Sequence, residues 1–95
     1  MNPYQTIPKT VTLNFFSTPS HGYLQVHKNL VDEVAACNAF KSRFSFYNAR
    51  LGLFYFEEDY DAPEIITALK NVGYKINIVD QLDELETIKT YKRLS

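Results

Sequence analysis

The segment that most constrains the fold is residues 44–63, FSFYNARLGLFYFEEDYDAP, because its pattern changes abruptly from strand-like to helix-like. It holds seven of the fourteen aromatic residues and the densest group of acidic residues. Side chains alternate with period two on both sides of Asn48–Gly52, which predicts two strands joined by a tight turn. Gly52 is the turn residue that can take a positive φ. We therefore expect a β-hairpin from Phe44 to Glu58.

The second strand of this hairpin, from Leu53, is apolar on both faces at its centre. That pattern is typical of an interior strand covered on both sides. The strand ends in the acidic run Glu57–Asp61, and a helix is predicted from about Ala62 to Val72. Asp61, with a proline in the first turn and Glu64 three residues later, predicts a capping box at the start of this helix.

Size and composition indicate one domain, residues 1–95. The hydrophobic content of 45% and aromatic content of 15% exclude a disordered chain. The net charge of −1 provides no overall field that would attract nucleic acid or a membrane. Cys37 is the single cysteine, and the start of the chain, irregular over Met1 to Pro8, has no apolar signal segment. We therefore expect a soluble, cytoplasmic protein with no membrane contact and no cofactor.

The first half of the chain predicts a hairpin followed by a helix. Strands are expected over Val11–Phe15 and Tyr23–His27, around a turn rich in Ser, Pro and Gly. Asn29 is the predicted helix cap, and the helix should end near Phe40. Asp32 and Glu33 are expected in its first turn. Its apolar stripe is formed by Leu30, Val34 and Cys37.

The last third predicts a strand and a less regular tail. Gly73 is expected to end the preceding helix in the left-handed conformation, before a strand over Tyr74–Ile78. Asp80 should cap a short helical turn that reaches Leu85. An edge strand is expected over Thr87–Tyr91, followed by a basic end. The basic residues of this tail are Lys89, Lys92 and Arg93.

The order of elements is strand, strand, helix, strand, strand, helix, strand. Without the first strand it reads βαββαβ, the ferredoxin-like order. We therefore expect an α+β domain with a mostly antiparallel sheet, both helices on one face and an extra N-terminal strand. A meander of two hairpins with differently placed helices is the alternative that this order leaves open.

The acidic run has three interpretations. Period-two alternation puts Glu57 and Asp59 on one side of the chain and Glu58 on the other. The simplest interpretation is a solvated strand end with a helix cap at Asp61. The others are a binding surface, and a site for a hard cation or for acid–base chemistry, since carboxylate oxygens suit both.

His21 and the strand aromatics add two further hypotheses. His21 lies in a turn beside a glycine, where an exposed imidazole titrates near neutral pH and could act as a general base beside a carboxylate. Tyr47, Phe54 and Phe56 could stack on single-stranded RNA, although the RNA-binding signature of glycine and aromatic residues is absent. The same aromatics could instead form a protein interface.

Two motifs resemble a group of small bacterial, phage and plasmid proteins. The first is His-Gly-aromatic-Leu-x-Val, here His21–Val26, and the second is aromatic-Leu-Glu-Glu-Asp-x-Asp-Ala, here Tyr55–Ala62. The chain departs where Phe56 replaces Leu and His27 replaces a frequent Pro. The resemblance covers about half of the chain and implies an accessory role tied to mobile elements. The shared positions are His21, Gly22, Glu57, Glu58, Asp59 and Asp61.

These observations predict an accessory protein that works by binding a macromolecule, most simply another protein, for example as an anti-defence factor. A small hydrolase, metal-dependent or using His21 with a carboxylate, is the first alternative, and a single-stranded RNA binder is the second. No specific catalytic motif is present. The expected binding residues are His21, Tyr23, Tyr55, Glu57, Glu58, Asp59 and Asp61.

Overall fold

The computed structural model describes residues 9–34 and 45–94. Its elements, in chain order, are β1 (Lys9–Ser17), β2 (Gly22–His27), α1 (Lys28–Glu33), β3 (Phe46–Asn48), β4 (Leu53–Glu57), α2 (Ala62–Asn71), β5 (Tyr74–Leu82), a 3₁₀ helix (Thr87–Thr90) and β6 (Lys92–Arg93). The predictions for Met1 to Pro8, for Cys37, for the helix end at Phe40 and for Phe44 lie outside the described residues.

The six strands of the described region form one sheet in the order β5-β1-β2-β4-β3-β6. All neighbours are antiparallel except β1 and β5, which are parallel. The prediction of an α+β domain with a mostly antiparallel sheet is therefore confirmed. The interior position of β4, between β2 and β3, is confirmed as well.

The ferredoxin-like order is wrong, because β1 is an interior strand of the sheet and not an addition to it. Every residue of Lys9–Ser17 is paired with Tyr74–Leu82, while the end of β1 also pairs with the start of β2. The physical reason is that β1 alternates like the strands around it. Leu13 is buried, and Val11 and Phe15 pack against the same core. When the chain returns after α2, β5 therefore pairs with β1 and does not reach β2.

Both helices cover the same apolar cluster on one face of the sheet. Ile65 and Leu69 of α2 are fully buried there, and Leu30 and Val31 of α1 pack at its side. Full burial of each large side chain contributes about 1.5–3 kcal/mol. The sheet residues beneath the helices include Leu24, Val26 and Phe56, each at most 1% exposed.

A second, smaller apolar cluster lies on the other face of the sheet. It consists of Tyr23, Phe46, Tyr55 and Ile88. Successive residues of a strand point to opposite faces, so Tyr23 belongs to this cluster while its neighbour Leu24 belongs to the first. Ile88 comes from the 3₁₀ helix, which therefore covers this face. This second cluster forms the base on which the candidate site is built.

The start of α1 differs from the prediction. His27, and not Asn29, is the N-cap, and its Nδ1 accepts a hydrogen bond of 3.1 Å from the backbone N–H of Asn29. The helix therefore begins at Lys28, and the described first turn contains neither Asp32 nor Glu33. An imidazole nitrogen is an acceptor when neutral, so His27 can do what capping preferences assign to Asn.

The segment after β5 also differs from the prediction. Asp80 caps no helical turn, because β5 continues to Leu82 in register with β1. Where an edge strand was expected, Thr87–Thr90 form a 3₁₀ helix. The side chain of Asp83 organises it by accepting hydrogen bonds of 2.9 Å from the N–H groups of Thr87 and Ile88. The short edge strand is β6, Lys92–Arg93.

The turn and helix-end predictions are confirmed. Gly52 has φ 66°, as the hairpin turn requires, and Gly73 has φ 99°, just beyond the end of α2. Both values are in the region that favours glycine.

Candidate functional site

A pocket of about 240 Å³ opens on the face that carries the second cluster. The turn before β2, the strands β2, β3, β4 and β6, and the 3₁₀ helix all contribute to it. Its walls are aromatic, and its polar groups are one buried carboxylate, one imidazole and two basic side chains. The lining residues are His21, Tyr23, Phe46, Glu57, Lys89 and Arg93.

The pairing of β2 with β4 brings His21 and Glu57 together. Tyr23 lies directly opposite Glu57, and the N–H of Glu58 donates a 2.9 Å hydrogen bond to the carbonyl of Gly22. The result is a distance of 3.5 Å between Nδ1 of His21 and Oε1 of Glu57. The histidine side chain is 44% exposed, whereas the glutamate side chain is 1% exposed.

The two carboxylate oxygens of Glu57 have different surroundings. Oε2 accepts hydrogen bonds from the N–H groups of Asp59 (2.8 Å) and Tyr60 (3.1 Å), and so closes the turn that follows β4. Oε1 has no hydrogen-bond partner among the described residues and lies towards His21. A buried acceptor left without a donor costs about 1–3 kcal/mol, and more when it is charged. Oε2 of Glu57 therefore has two hydrogen-bond donors, whereas Oε1, on the pocket side, has none among the described residues.

Glu57, Glu58 and Asp59 form what we call the carboxylate corner. Each offers an oxygen, and these oxygens all lie within 4.8 Å of one another. Strand alternation predicted that Glu58 would point away from the other two. β4 ends at Glu57 and the chain then turns, so the three oxygens still lie close together. Glu58 and Asp59 are exposed, whereas Glu57 is buried.

Gly22 provides space for one side of this corner. A Cβ at Gly22 would lie 2.8 Å from Oε2 of Glu58 and 2.3 Å from Cζ of Phe15. No side chain fits at such distances without displacing its neighbours. The His-Gly motif therefore has a steric explanation: glycine lets the Glu58 carboxylate and the Phe15 ring lie against β2.

Asp61 lies behind the corner, outside the pocket lining. It occupies the N-cap position of α2 with Pro63 in the first turn, as predicted, and it is 3% exposed. Within the described residues, however, its side chain makes no capping hydrogen bond, so the predicted capping box is wrong. The buried hydroxyl of Ser45 donates to Oδ2 of Asp61 and accepts from the N–H of Glu57 at 3.0 Å. Ser45 thus joins β4 to the helix start.

The two tyrosines among the expected binding residues are core residues. Tyr23 is 2% and Tyr55 is 4% exposed. Burial raises the pKa of Tyr23, and the negative charges of Glu57 and Glu86 raise it further. Burial also raises the pKa of Tyr55, whose hydroxyl accepts a 3.0 Å hydrogen bond from Gln25. Tyr23 still lines the pocket, whereas Tyr55 lies beneath the site and is not part of its lining.

The proposed RNA platform is only partly exposed. Phe56 is 1% exposed and packs in the main core, so its ring cannot stack on a base. Tyr47 and Phe54 are half-buried and pack against each other with ring centroids 4.4 Å apart. Two of the three aromatics therefore remain accessible.

Sequence reasoning did not place Phe46, Lys89 and Arg93 in the site. Lys89 Nζ lies 2.6 Å from Oγ of Ser20 and 3.2 Å from Oε1 of Glu86. The Ser20 hydroxyl, and then Lys89, lower the pKa of the Glu86 carboxyl. The Arg93 guanidinium lies 5.5 Å from the centroid of the Phe46 ring. The basic tail was the available signal, but only the 3₁₀ helix and β6 bring it over the pocket.

Comparisons with protein families, with curated proteins and with solved structures found no match to this chain. The resemblance to bacterial, phage and plasmid proteins therefore stays a prediction. Within residues 9–34 and 45–94, neither helix has the length and apolar character needed to cross a membrane.

Proposed function

We propose that this protein acts by binding a partner protein, and that the contact is formed by the pocket and the carboxylate corner beside it. The observation that carries the proposal is the combination of aromatic walls, Tyr23 and Phe46, with a buried carboxylate whose Oε1 lacks a donor among the described residues. Binding energy in protein interfaces concentrates in such desolvated pockets.

The size of the pocket supports a macromolecular partner. Sites that enclose a whole small molecule have volumes of roughly 300–1,000 Å³, whereas this pocket has about 240 Å³. It suits one side chain inserted from a larger surface. A donor group on that side chain would give Oε1 of Glu57 the hydrogen bond that it lacks among the described residues.

Charge supports a basic surface around the inserted side chain. Glu58 and Asp59 are exposed beside the pocket and unite with Glu57 in a compact negative region. The basic residues of the pocket do not cancel it completely, since Lys89 is already paired with Glu86. Attraction between exposed charges is screened over about 8–10 Å at physiological salt, so the complex should weaken as salt increases.

The experiment is a capture from native lysate with three tagged forms of the full chain. The first is wild type, and the second carries Glu58→Gln and Asp59→Asn. The third carries Asp32→Asn and Asp80→Asn, which remove the same charge from exposed positions on α1 and β5. We expect to find a protein that is captured by wild type and by the control but not by the corner variant. The amount captured by wild type should fall as the salt concentration is raised from about 0.05 to 0.5 M. Equal capture by all three, indifferent to salt, would contradict the proposal.

A general base is the second candidate function, and the 3.5 Å distance between His21 and Glu57 favours it. A carboxylate that orients an imidazole is a common arrangement for proton transfer. The test is hydrolysis of activated ester and phosphoester substrates by wild type, by His21→Asn and by the control His27→Asn. Activity lost only in His21→Asn would support this function. Equal rates in all three would exclude it for these substrates.

An accessory role in mobile elements is the setting that the motif resemblance implies for such a binding protein. Single-stranded RNA is a weaker candidate, because the aromatic platform is reduced to two half-buried rings and the corner beside the pocket is acidic.

A further inference from the structure

We infer that the outer edge of β5 is the interface of a symmetric dimer, in which the β5 strands of two copies pair antiparallel about a two-fold axis at Ile78. Such a dimer would join the two sheets into one continuous sheet. The inference goes beyond the proposed function and does not depend on it. β5 contributes no residue to the lining of the pocket, so the dimer would leave the pocket accessible.

The two edges of the sheet differ in how well they are protected from pairing. One edge is β6, which has only two residues, and the other is β5, which has nine. Natural edge strands avoid further pairing by being short or by carrying proline, bulges or several charges. β5 has no proline, pairs with β1 residue by residue without a bulge, and carries one lysine and one aspartate. Within residues 9–34 and 45–94, no strand pairs with its outer side.

The outward backbone groups of β5 belong to alternate residues. The N–H of Asp83 donates a 2.9 Å hydrogen bond to the carbonyl of Ser17, so Asp83 faces β1. Successive residues of a strand direct their N–H and C=O groups to opposite sides, so the even-numbered residues of β5 face outwards. These residues are Tyr74, Ile76, Ile78, Asp80 and Leu82. The set is symmetric about Ile78, so a second copy in antiparallel orientation can pair with all of it.

This register also places suitable side chains opposite each other. The opposite pairs would be Ile78 with Ile78, Ile76 with Asp80, Tyr74 with Leu82, Asn77 with Val79 and Lys75 with Gln81. Ile78 and Leu82 are exposed large apolar residues in the single chain. Each would gain an apolar cross-strand neighbour, which stabilises a sheet, and no like charges would face each other.

Charge complementarity favours a second copy as the occupant of this edge. The strand begins with a basic residue, Lys75, and ends with two acidic residues, Asp80 and Asp83. Antiparallel pairing brings the beginning of one copy against the end of the other. Lys75 would then lie diagonal to Asp83 of the second copy, at about 7–8 Å between backbones, which a long side chain can span. The two-fold axis makes this attraction occur twice.

The test is sedimentation of the full chain over a range of concentrations, for wild type, Ile78→Lys, Ile78→Glu and the control Leu51→Lys. We expect a wild-type dimer. Each Ile78 variant places two like charges opposite each other on the axis and should raise the dissociation constant at least about tenfold. Leu51 is also an exposed apolar residue but lies in the turn between β3 and β4. Its variant should stay within about twofold of wild type.

An equimolar mixture of Ile78→Lys and Ile78→Glu tests the register itself. Opposite charges then meet on the axis, so the mixture should form a heterodimer although each variant alone is monomeric.

Hydrogen exchange of the wild-type chain keeps the inference testable if the Ile78 variants fail to fold. The N–H groups of Ile76, Ile78 and Asp80 should exchange at least about tenfold more slowly in the concentrated dimer than in the dilute monomer. Those of Asn77 and Val79 face β1 and should be protected at both concentrations.

Four results would overturn the inference. A wild type that stays monomeric at about 1 mM would exclude the dimer and leave β5 to a strand of another protein. Equal weakening by Leu51→Lys would show that the effect is not specific to β5. A mixture that stays monomeric would contradict the register at Ile78. Protection that depends on concentration only outside β5 would place the interface elsewhere.

Discussion

Nδ1 of His21 lies 3.5 Å from Oε1 of Glu57, and this contact joins the turn before β2 to the end of β4. The register that pairs Tyr23 with Glu57 fixes it. One residue of the pair is almost completely buried and the other is 44% exposed. The buried carboxylate therefore has one oxygen held by two backbone N–H groups and one oxygen that lies towards His21.

The two oxygens of Glu57 predict different outcomes for two substitutions. Glu57→Gln keeps an acceptor for the N–H groups of Asp59 and Tyr60, and should change the free energy of unfolding by less than about 1 kcal/mol. Glu57→Ala removes that acceptor and should cost about 1–3 kcal/mol. Urea unfolding curves of both variants provide the measurement. A Gln variant as unstable as the Ala variant would show that the charge itself stabilises the fold.

Gly22→Ala should destabilise the protein by overpacking. The new Cβ would lie 2.3 Å from the Phe15 ring, and overpacking of this kind typically costs about 1–3 kcal/mol. Truncation of the ring in Phe15→Leu should recover part of that loss in the double variant, because residues in contact are not additive. Thermal melts of the two single variants and the double variant form the cycle. Simple additivity would contradict the proposed collision.

Asp61 should behave as a buried hydrogen-bond acceptor. Asp61→Asn retains an oxygen for the Ser45 hydroxyl and should cost less than about 1 kcal/mol, whereas Asp61→Ala leaves that hydroxyl without its acceptor and should cost about 1–3 kcal/mol. Ser45→Ala is the matched control, and its effect should not add to that of Asp61→Ala, because the same bond is lost. Full additivity in denaturant unfolding would mean that Asp61 acts through another contact.

Alkaline pH should destabilise the protein partly through Tyr23. Burial, and then Glu57 and Glu86, raise the pKa of Tyr23 above its ordinary value of 10.0. The folded state therefore keeps this proton when the unfolded state has lost it. The stabilisation is complete below pH 10 and is lost as the pH rises towards the folded-state pKa. Tyr23→Phe should show a shallower decline in stability between about pH 9 and 12 than wild type. Parallel curves would show that Tyr23 does not contribute to it.

Part of the fold could be predicted because it depends on local pattern. The alternation around Phe56 identified β4 as an interior strand, and the apolar spacing at Ile65 and Leu69 identified the buried stripe of α2. Gly52 and Gly73 were placed correctly because a positive φ is a property of a single residue. Two predictions failed because a side chain that the pattern did not single out accepts the backbone hydrogen bonds. His27 is the N-cap of α1 in place of Asn29, and Asp83 accepts from the N–H of Thr87 in a 3₁₀ helix where an edge strand was expected.

The candidate site shows the same division. The acidic run and His21 were visible as separate signals, since residue type and turn chemistry are local. The contact between His21 and Glu57 depends on the register of β2 against β4. That register is set by hydrogen bonds between strands that are far apart in the chain. Lys89 and Arg93 line the pocket because the tail lies over the sheet. Asp83 accepts a hydrogen bond from the N–H of Ile88 in the 3₁₀ helix, and β6 pairs with β3.

The sequence by itself determined the strands and helices up to Ile78, apart from their exact ends, and showed that an acidic run follows a strand of aromatics. Periodicity and backbone preference act within a few residues, so those features can be read from the chain. The tertiary structure alone decided that β1 lies inside the sheet, that Asp61 bonds to Ser45, and that Glu57 keeps one oxygen open towards the pocket. Each of these features depends on contacts between residues that are far apart in the chain. The spacing of residue types along the chain does not encode which distant residues come into contact.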